Sequence, residues 1–222
     1  MRTVIGLTGY AGSGKDEAAR ALIGSRGFVK VGFADPLREA MSRLNPIVGR
    51  RVVSGTFFPP HDLDVRYREA VHKYGYDEAK KRFPEMRELL QRFGTEVGRE
   101  MFGPTFWTDQ AKRQIDLLPE LCPVVITDVR FQNEVDVIRD YHGLMIRIER
   151  PGVTAVNSHA SDTNTAKLPV DVVISNDGTI ADLHARVLRA FEVRFVSPLT
   201  RDREYCDGYE QPGLFEEVAV DA

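Results

Sequence analysis

The residues best placed to do chemistry come early, in the stretch "TVIGLTGYAGSGKDEAAR" (residues 3–20). Gly9, Gly14 and Lys15 make the spacing G-x-x-x-x-G-K, with a β-branched apolar run entering it and an alanine-rich helical pattern leaving it. Glycines in such a turn let the backbone N–H groups of Gly9, Ala11, Gly12, Ser13 and Gly14 face inward as an anion nest, and the helix start adds partial positive charge. Lys15 supplies a point charge that can follow a moving phosphoryl group. The competing reading is a tight strand–helix turn with a surface lysine. With glycine at 18 of 222 positions, the spacing alone is weak; its place between a strand and a helix is what carries it.

Asp16 stands where such loops carry the Ser or Thr that holds magnesium. A carboxylate at a helix start is favourable through capping and the dipole alone. It is also a hard-oxygen ligand for Mg2+, directly or through water. Its negative charge beside a polyphosphate is tolerable when the metal and Lys15 are both present. A general-base role ranks lower, because an acceptor that is itself a phosphate is already ionised at neutral pH.

Further along, Asp128 directly follows the apolar run "CPVVIT", the usual place for a ligand in open α/β sheets. Arg130, two residues on, offers the bidentate fork that phosphates favour, or a salt bridge to its neighbour. Arg87 and Gln91 are one helical turn apart and can face one ligand, or form an exposed polar pair. Gly94 and Thr95 at a helix junction expose a backbone N–H and a hydroxyl. Trp107, the single tryptophan, can stack on a base or fill a core.

These residues need a scaffold, and the pattern predicts one. Strands are expected at "RTVIGLT", "FVKVGFA", "CPVVITD", "LMIRIER" and "VDVVISN". Helices are expected at "DEAARALIGSRG", at "DPLREAMSRL" with Asp35 able to cap it, across "DEAKKRFPEMRELLQRFGTEVGREM" with a break at Pro84, and at "TFWTDQAKRQIDLL", "NEVDVIRDYHG" and "TIADLHARVLRAFEVRF". Residues 45–76 have poor periodicity and read as a loop-rich insertion. Strands alternating with helices, several continuously apolar, argue for an α/β fold: a mainly parallel sheet covered on both faces.

At 25.0 kDa the chain suits one domain with an insertion. A hydrophobic fraction of 42% and net charge of −3, with a pI near 6.0, fit an ordinary globular enzyme and give no footprint for nucleic acid. Cys122 and Cys206 match no metal or redox spacing, and the five histidines form no ligand pair. No apolar run reaches membrane-spanning length, and the N-terminus does not read as a secretory signal. A cytoplasmic location without membrane partners is the expectation.

Taken together, "GYAGSGKD" (9 to 16 with its flank), "FADPLRE" (33–39), "RELLQRFGTEVGR" (87–99) with "FW" after it, and "DVRFQNE" (128–134) resemble the phage-type deoxynucleoside monophosphate kinases, in that family's order. The resemblance implies a P-loop NTPase-type three-layer α/β/α domain over residues 1–196. Within it, a helical monophosphate-binding insertion covers about 45–115 and a lid about 150–168; residues 197–222 form a tail. It implies transfer of the γ-phosphoryl group of ATP, with Mg2+, to a deoxynucleoside 5′-monophosphate, by a monomer or homodimer (in a host cytoplasm if phage-encoded). Phosphomevalonate- or dephospho-coenzyme-A-type acceptors, or a non-catalytic ATP switch, are the alternatives.

Residue by residue, the resemblance puts Ser13 and Asp16 on donor phosphates and metal, with Asp128 as a second metal ligand. It puts Asp35, Arg38, Arg87, Gln91, Gly94, Thr95 and Trp107 around the acceptor. Asp128, Arg130 and Glu134 face the reacting phosphates, with Lys15, Asp16, Asp128 and Arg130 as the catalytic set. Glu17 departs from the Thr common in the family. A lid is needed to exclude water; Arg150 is its phosphate contact and His159 a lesser one. The turn holding Asn176 and Gly178 would seat the adenine, although N-D-G is also a good turn by itself.

Overall fold

Strand and helix alternate along the chain, and the main sheet they build is wholly parallel. The computed structural model describes residues 2–55, 58–154 and 165–196. His159, most of the expected lid and the tail from residue 197 lie outside the described residues. Two compact units result, one from residues 2–33 with 108–196 and one from residues 34–107.

The first unit holds β1 (Val4–Thr8), β2 (Val29–Val31), β5 (Val124–Ile126), β6 (Leu144–Glu149) and β7 (Val172–Ser175). Their order is β2-β5-β1-β6-β7, with every neighbouring pair parallel. All five β1 residues are buried, which is why this run is continuously apolar rather than alternating. On one face, α1 (Lys15–Arg26) and α8 (Ile180–Phe195) pack Ala18, Leu22, Leu183, Val187 and Phe191 onto Ile5, Leu7, Ile146 and Ile148. On the other, α6 (Phe106–Leu117) and α7 (Gln132–Asp140) pack Ala111, Ile115, Val135 and Ile138 onto Val4, Val124, Ile126 and Met145. Each large side chain so buried contributes about 1.5–3 kcal/mol. The expected three layers are realised. Gly6 is what lets α7 close on the sheet, since a Cβ there would stand 2.2 Å from Ile138 Cδ1.

The second unit is α2 (Asp35–Leu44), a hairpin of β3 (Ile47–Gly55) and β4 (Phe58–Arg66), then α3 (Tyr67–Tyr74), α4 (Tyr76–Arg82), α5 (Pro84–Arg92) and a π-helix (Phe93–Met101). The hairpin replaces the loop-rich arm expected from sequence. Its strands pair antiparallel from Ile47↔Arg66 through Arg51↔Leu63 to Val53↔His61. Among the described residues of this ribbon, only Val48 and Val65 join the unit's core, beside Met41, Tyr67, Ala79, Met86 and Leu90. A ribbon that buries two residues leaves almost no period-2 signal to read. Among the described residues, no helix is long and apolar enough to cross a membrane.

Candidate functional site

From β1 the chain leaves to one side for β2 and later crosses to the other for β6, so the topological switch lies at β1's carboxyl end. The glycine-rich loop sits there. Gly9, Gly12 and Gly14 have φ of 139°, 80° and 106°, values that L side chains rarely adopt. Ser13 N donates to Tyr10 O at 3.1 Å, closing the turn. Gly14 is the N-cap of α1 and supplies no side-chain cap to the helix start, whose dipole favours an anion there. Ala11 and Gly12 form the exposed tip.

Lys15 Nζ donates to Gly9 O at 2.8 Å and Tyr10 O at 2.7 Å, so the ammonium is held over the loop's own backbone. Ser13 is 1% exposed, and its Oγ has no hydrogen-bond partner among the described residues. Such a group in a native fold takes water, an ion or a ligand as its partner. Asn176 Nδ2 donates to Ser13 O at 2.8 Å, and Asn176 N to Glu149 O at 2.6 Å. Asn176 thus braces the loop from the turn after β7. Gly178 serves the start of α8, where a Cβ would come within 2.6 Å of Asp182 Oδ2.

Asp16 is exposed, and its carboxylate takes Lys30 Nζ at 2.7 Å. Partial burial pushes its pKa up, but the hydrogen bond and charge of Lys30, the charge of Lys15 and a hydrogen bond with Thr127 outweigh this and hold it below the usual carboxylate value. Thr127 precedes Asp128, so the loop's aspartate lies at the end of β5. Lys30 was not singled out in the sequence. A lysine between Val29 and Val31 of a buried strand was the available signal. Because Asp16's pKa is depressed, its contribution to stability is complete above the unfolded value of about 4 and fades as pH falls through the folded one. Lys30→Met is expected to move the Asp16 titration midpoint upward, read by carboxyl 13C NMR; an unmoved midpoint would remove Lys30 from this account.

Asp128 Oδ1 accepts from Phe33 N at 2.9 Å, tying the end of β5 to the end of β2. Arg130 is exposed just beyond it. Glu134, only 5% exposed, takes the amides of Arg130 and Phe131 at 2.6 and 3.1 Å and so fixes the turn that presents Arg130. Glu17 is engaged away from the loop, with Arg20 at 2.7 Å and His184 Nε2 at 2.9 Å. Two carboxylates near one strand end fit magnesium, which needs one or two of them together with water and phosphate oxygens. No group of three metal-binding side chains occurs among the described residues.

A cleft of about 420 Å³ opens beside the loop, lined by Tyr10, Ser13, Arg147, Arg150, Thr165 and Ser175 among others. Arg150 is exposed at its rim.

In the second unit, Arg87, Gln91 and Thr95 are all exposed, spaced by four along α5 and into the π-helix, with half-buried Gly94 beside them. Arg38 bonds Asp35 at 3.2 Å and lies 4.4 Å over the Tyr76 ring. Trp107 is 8% exposed, its indole N–H donates to Gly94 O at 2.8 Å, and a Cβ on Gly98 would meet Nε1 at 2.2 Å. Trp107 thus packs against the π-helix that carries Gly94 and Thr95.

Residues 60–187 match the Deoxynucleotide monophosphate kinase family. A protein of Acanthamoeba polyphaga mimivirus that carries the family's name is 31% identical over 194 residues, 83% of this chain and 94% of that protein. The chain belongs to this family. It is therefore a kinase, a phosphotransferase acting on nucleotides, as the resemblance implied. Deoxynucleotide monophosphate kinases of Escherichia phage RB69 and Enterobacteria phage T4 are 28% and 24% identical over 107 and 112 residues, 46% and 49% of this chain and 43% and 46% of theirs.

Proposed function

We propose that this kinase transfers the γ-phosphoryl group of ATP to a deoxynucleoside 5′-monophosphate, giving ADP and the deoxynucleoside diphosphate. The observation that carries the donor side is the start of α1 without a side-chain cap, joined to Lys15 and to the buried Ser13 hydroxyl that has no hydrogen-bond partner among the described residues, all at one strand end. Loop amides and Lys15 hold the donor's phosphates by charge and fixed geometry. Asp16 and Asp128 are the ligands available for Mg2+, which when bound neutralises charge across the donor's phosphates. Arg130, presented by Glu134, balances charge on the phosphoryl group in transit. The bond from the γ-phosphorus to the ADP oxygen breaks, and one forms to an ionised oxygen of the acceptor phosphate. No side chain need take a proton.

Residues 34–107 are the acceptor unit in this reading, with Arg38, Arg87, Gln91, Gly94 and Thr95 as its contacts; Arg150 is a further phosphate contact. The family relationship supports a deoxynucleotide acceptor. A coupled ADP-release assay over deoxy- and ribonucleoside monophosphates, phosphomevalonate and dephospho-coenzyme A tests it. Turnover stimulated by one or more deoxynucleoside monophosphates is the expected result. Stimulation by phosphomevalonate or dephospho-coenzyme A alone, or by nothing on the panel, would overturn the acceptor assignment.

A further inference from the structure

Arg147 has no part in the reading so far. On β6 it is paired in register with Thr8, the last strand residue before the glycine-rich loop. Its side chain is 16% exposed, and Glu149, the carboxylate beside it, is 4.0 Å from Nη1 and itself 59% exposed. Nη2 donates to Leu168 O at 2.6 Å, while Nε is buried with no hydrogen-bond partner among the described residues. A guanidinium largely withdrawn from water with only a distant, solvated counter-charge is unfavourable unless something else compensates it.

The compensation is legible from what shares its cleft. Arg147 lines the cavity of about 420 Å³ together with Gly9, Tyr10 and Ser13. Ser13 is the other residue there with a buried polar atom lacking a partner. Two donors left over on adjacent walls, one charged, ask for an acceptor that is anionic and multidentate, and a polyphosphate is that chemistry. We infer that Arg147 is a donor-side phosphate contact, binding the nucleotide's phosphates from β6 while the loop amides and Lys15 bind them from α1. Leu168 O holds the guanidinium in place for this, so less freedom is lost on binding. The inference rests on the donor site proposed above.

The test uses the full chain with Arg147→Met and Arg147→Lys. Calorimetry of MgATP is expected to show affinity about 10- to 100-fold weaker for the Met variant, the size expected for losing a charged hydrogen bond. The Lys variant keeps a point charge without the fork and should fall between. The acceptor KM is expected to stay within about twofold of wild type in both. A residue that merely ties β6 to Leu168 would lower the melting temperature without separating the two substrates. MgATP affinity within twofold of wild type, or an equal loss for donor and acceptor, overturns the inference. Should the Met variant not fold, the Lys variant decides alone: a loss of at least a few-fold upholds the contact, and unchanged affinity removes it. A wild-type chain that fails to bind MgATP would instead bring down the proposed function beneath it.

Discussion

Lys15→Ala lowers kcat/KM by about 10³-fold while the sheet and its packing survive; this is the larger of two expected effects. The magnitude is that of removing one preorganised donor from a charge-stabilising site. The ammonium sits over the Gly9 and Tyr10 carbonyls, and Lys15 is not a member of the hydrophobic clusters, so its loss does not open the core. Its position at the first residue of α1 adds its charge to the helix's own N-terminal dipole. Steady-state assays with saturating acceptor, paired with thermal melts, check this. Activity within tenfold of wild type in a folded variant would mean that the lysine does not follow the transferred group.

Gly9→Ala strikes the same loop through geometry rather than charge. The φ of 139° lies outside what an L side chain accepts, and an added Cβ would stand 2.4 Å from Ile148 O and 2.9 Å from Ser13 Oγ. Ile148 is a buried residue of β6, so its carbonyl has no room to retreat. Strain and overpacking together cost about 2–4 kcal/mol, and the melting temperature is expected to fall by roughly 5–15 °C. Nucleotide affinity should go with it, because the loop must open to relieve the clash. A Gly9→Ala chain melting within about 2 °C of wild type would show that the backbone here is not under the constraint described.

The loop was legible in the sequence because its chemistry is local. Eight residues, Gly9 to Asp16, fix where the glycines, lysine and aspartate fall, and the apolar run before them fixes the strand. The place of Asp128 and Arg130 at a strand end is legible for the same reason, since they follow a strand that declares itself by Val124, Val125 and Ile126. What the sequence did not show depends on partners far along the chain. Lys30 reaches Asp16 only because β2 lies beside β5 in the sheet. Asn176 braces Ser13 from 163 residues away, so its role could not be separated from that of a simple turn. Arg147 reads as one polar residue within a strand until its cleft is seen.

Local pattern also misled where two structures share one signature. Helical periodicity continues through residues 93–101, and nothing in it marks the change from α to π. The cause sits elsewhere, in an indole that packs on Gly98 and takes the Gly94 carbonyl. Trp107 was ambiguous for that reason, as a ring poised for a base and a ring filling a gap carry the same letter. Glu134 falls in a motif with Asp128 and Arg130, and only the folded turn shows its carboxylate taking the amides of Arg130 and Phe131.

The central claim is that the turn between β1 and α1 holds the phosphates of ATP with a divalent ion at Asp16. Titrating ATP into the folded full-length chain in a calorimeter, with and without magnesium, addresses it most directly. The account predicts one-to-one binding with measurable heat, strengthened by magnesium and sharply weakened in Lys15→Ala. A flat titration with magnesium present, in protein shown to be folded by circular dichroism, would contradict it.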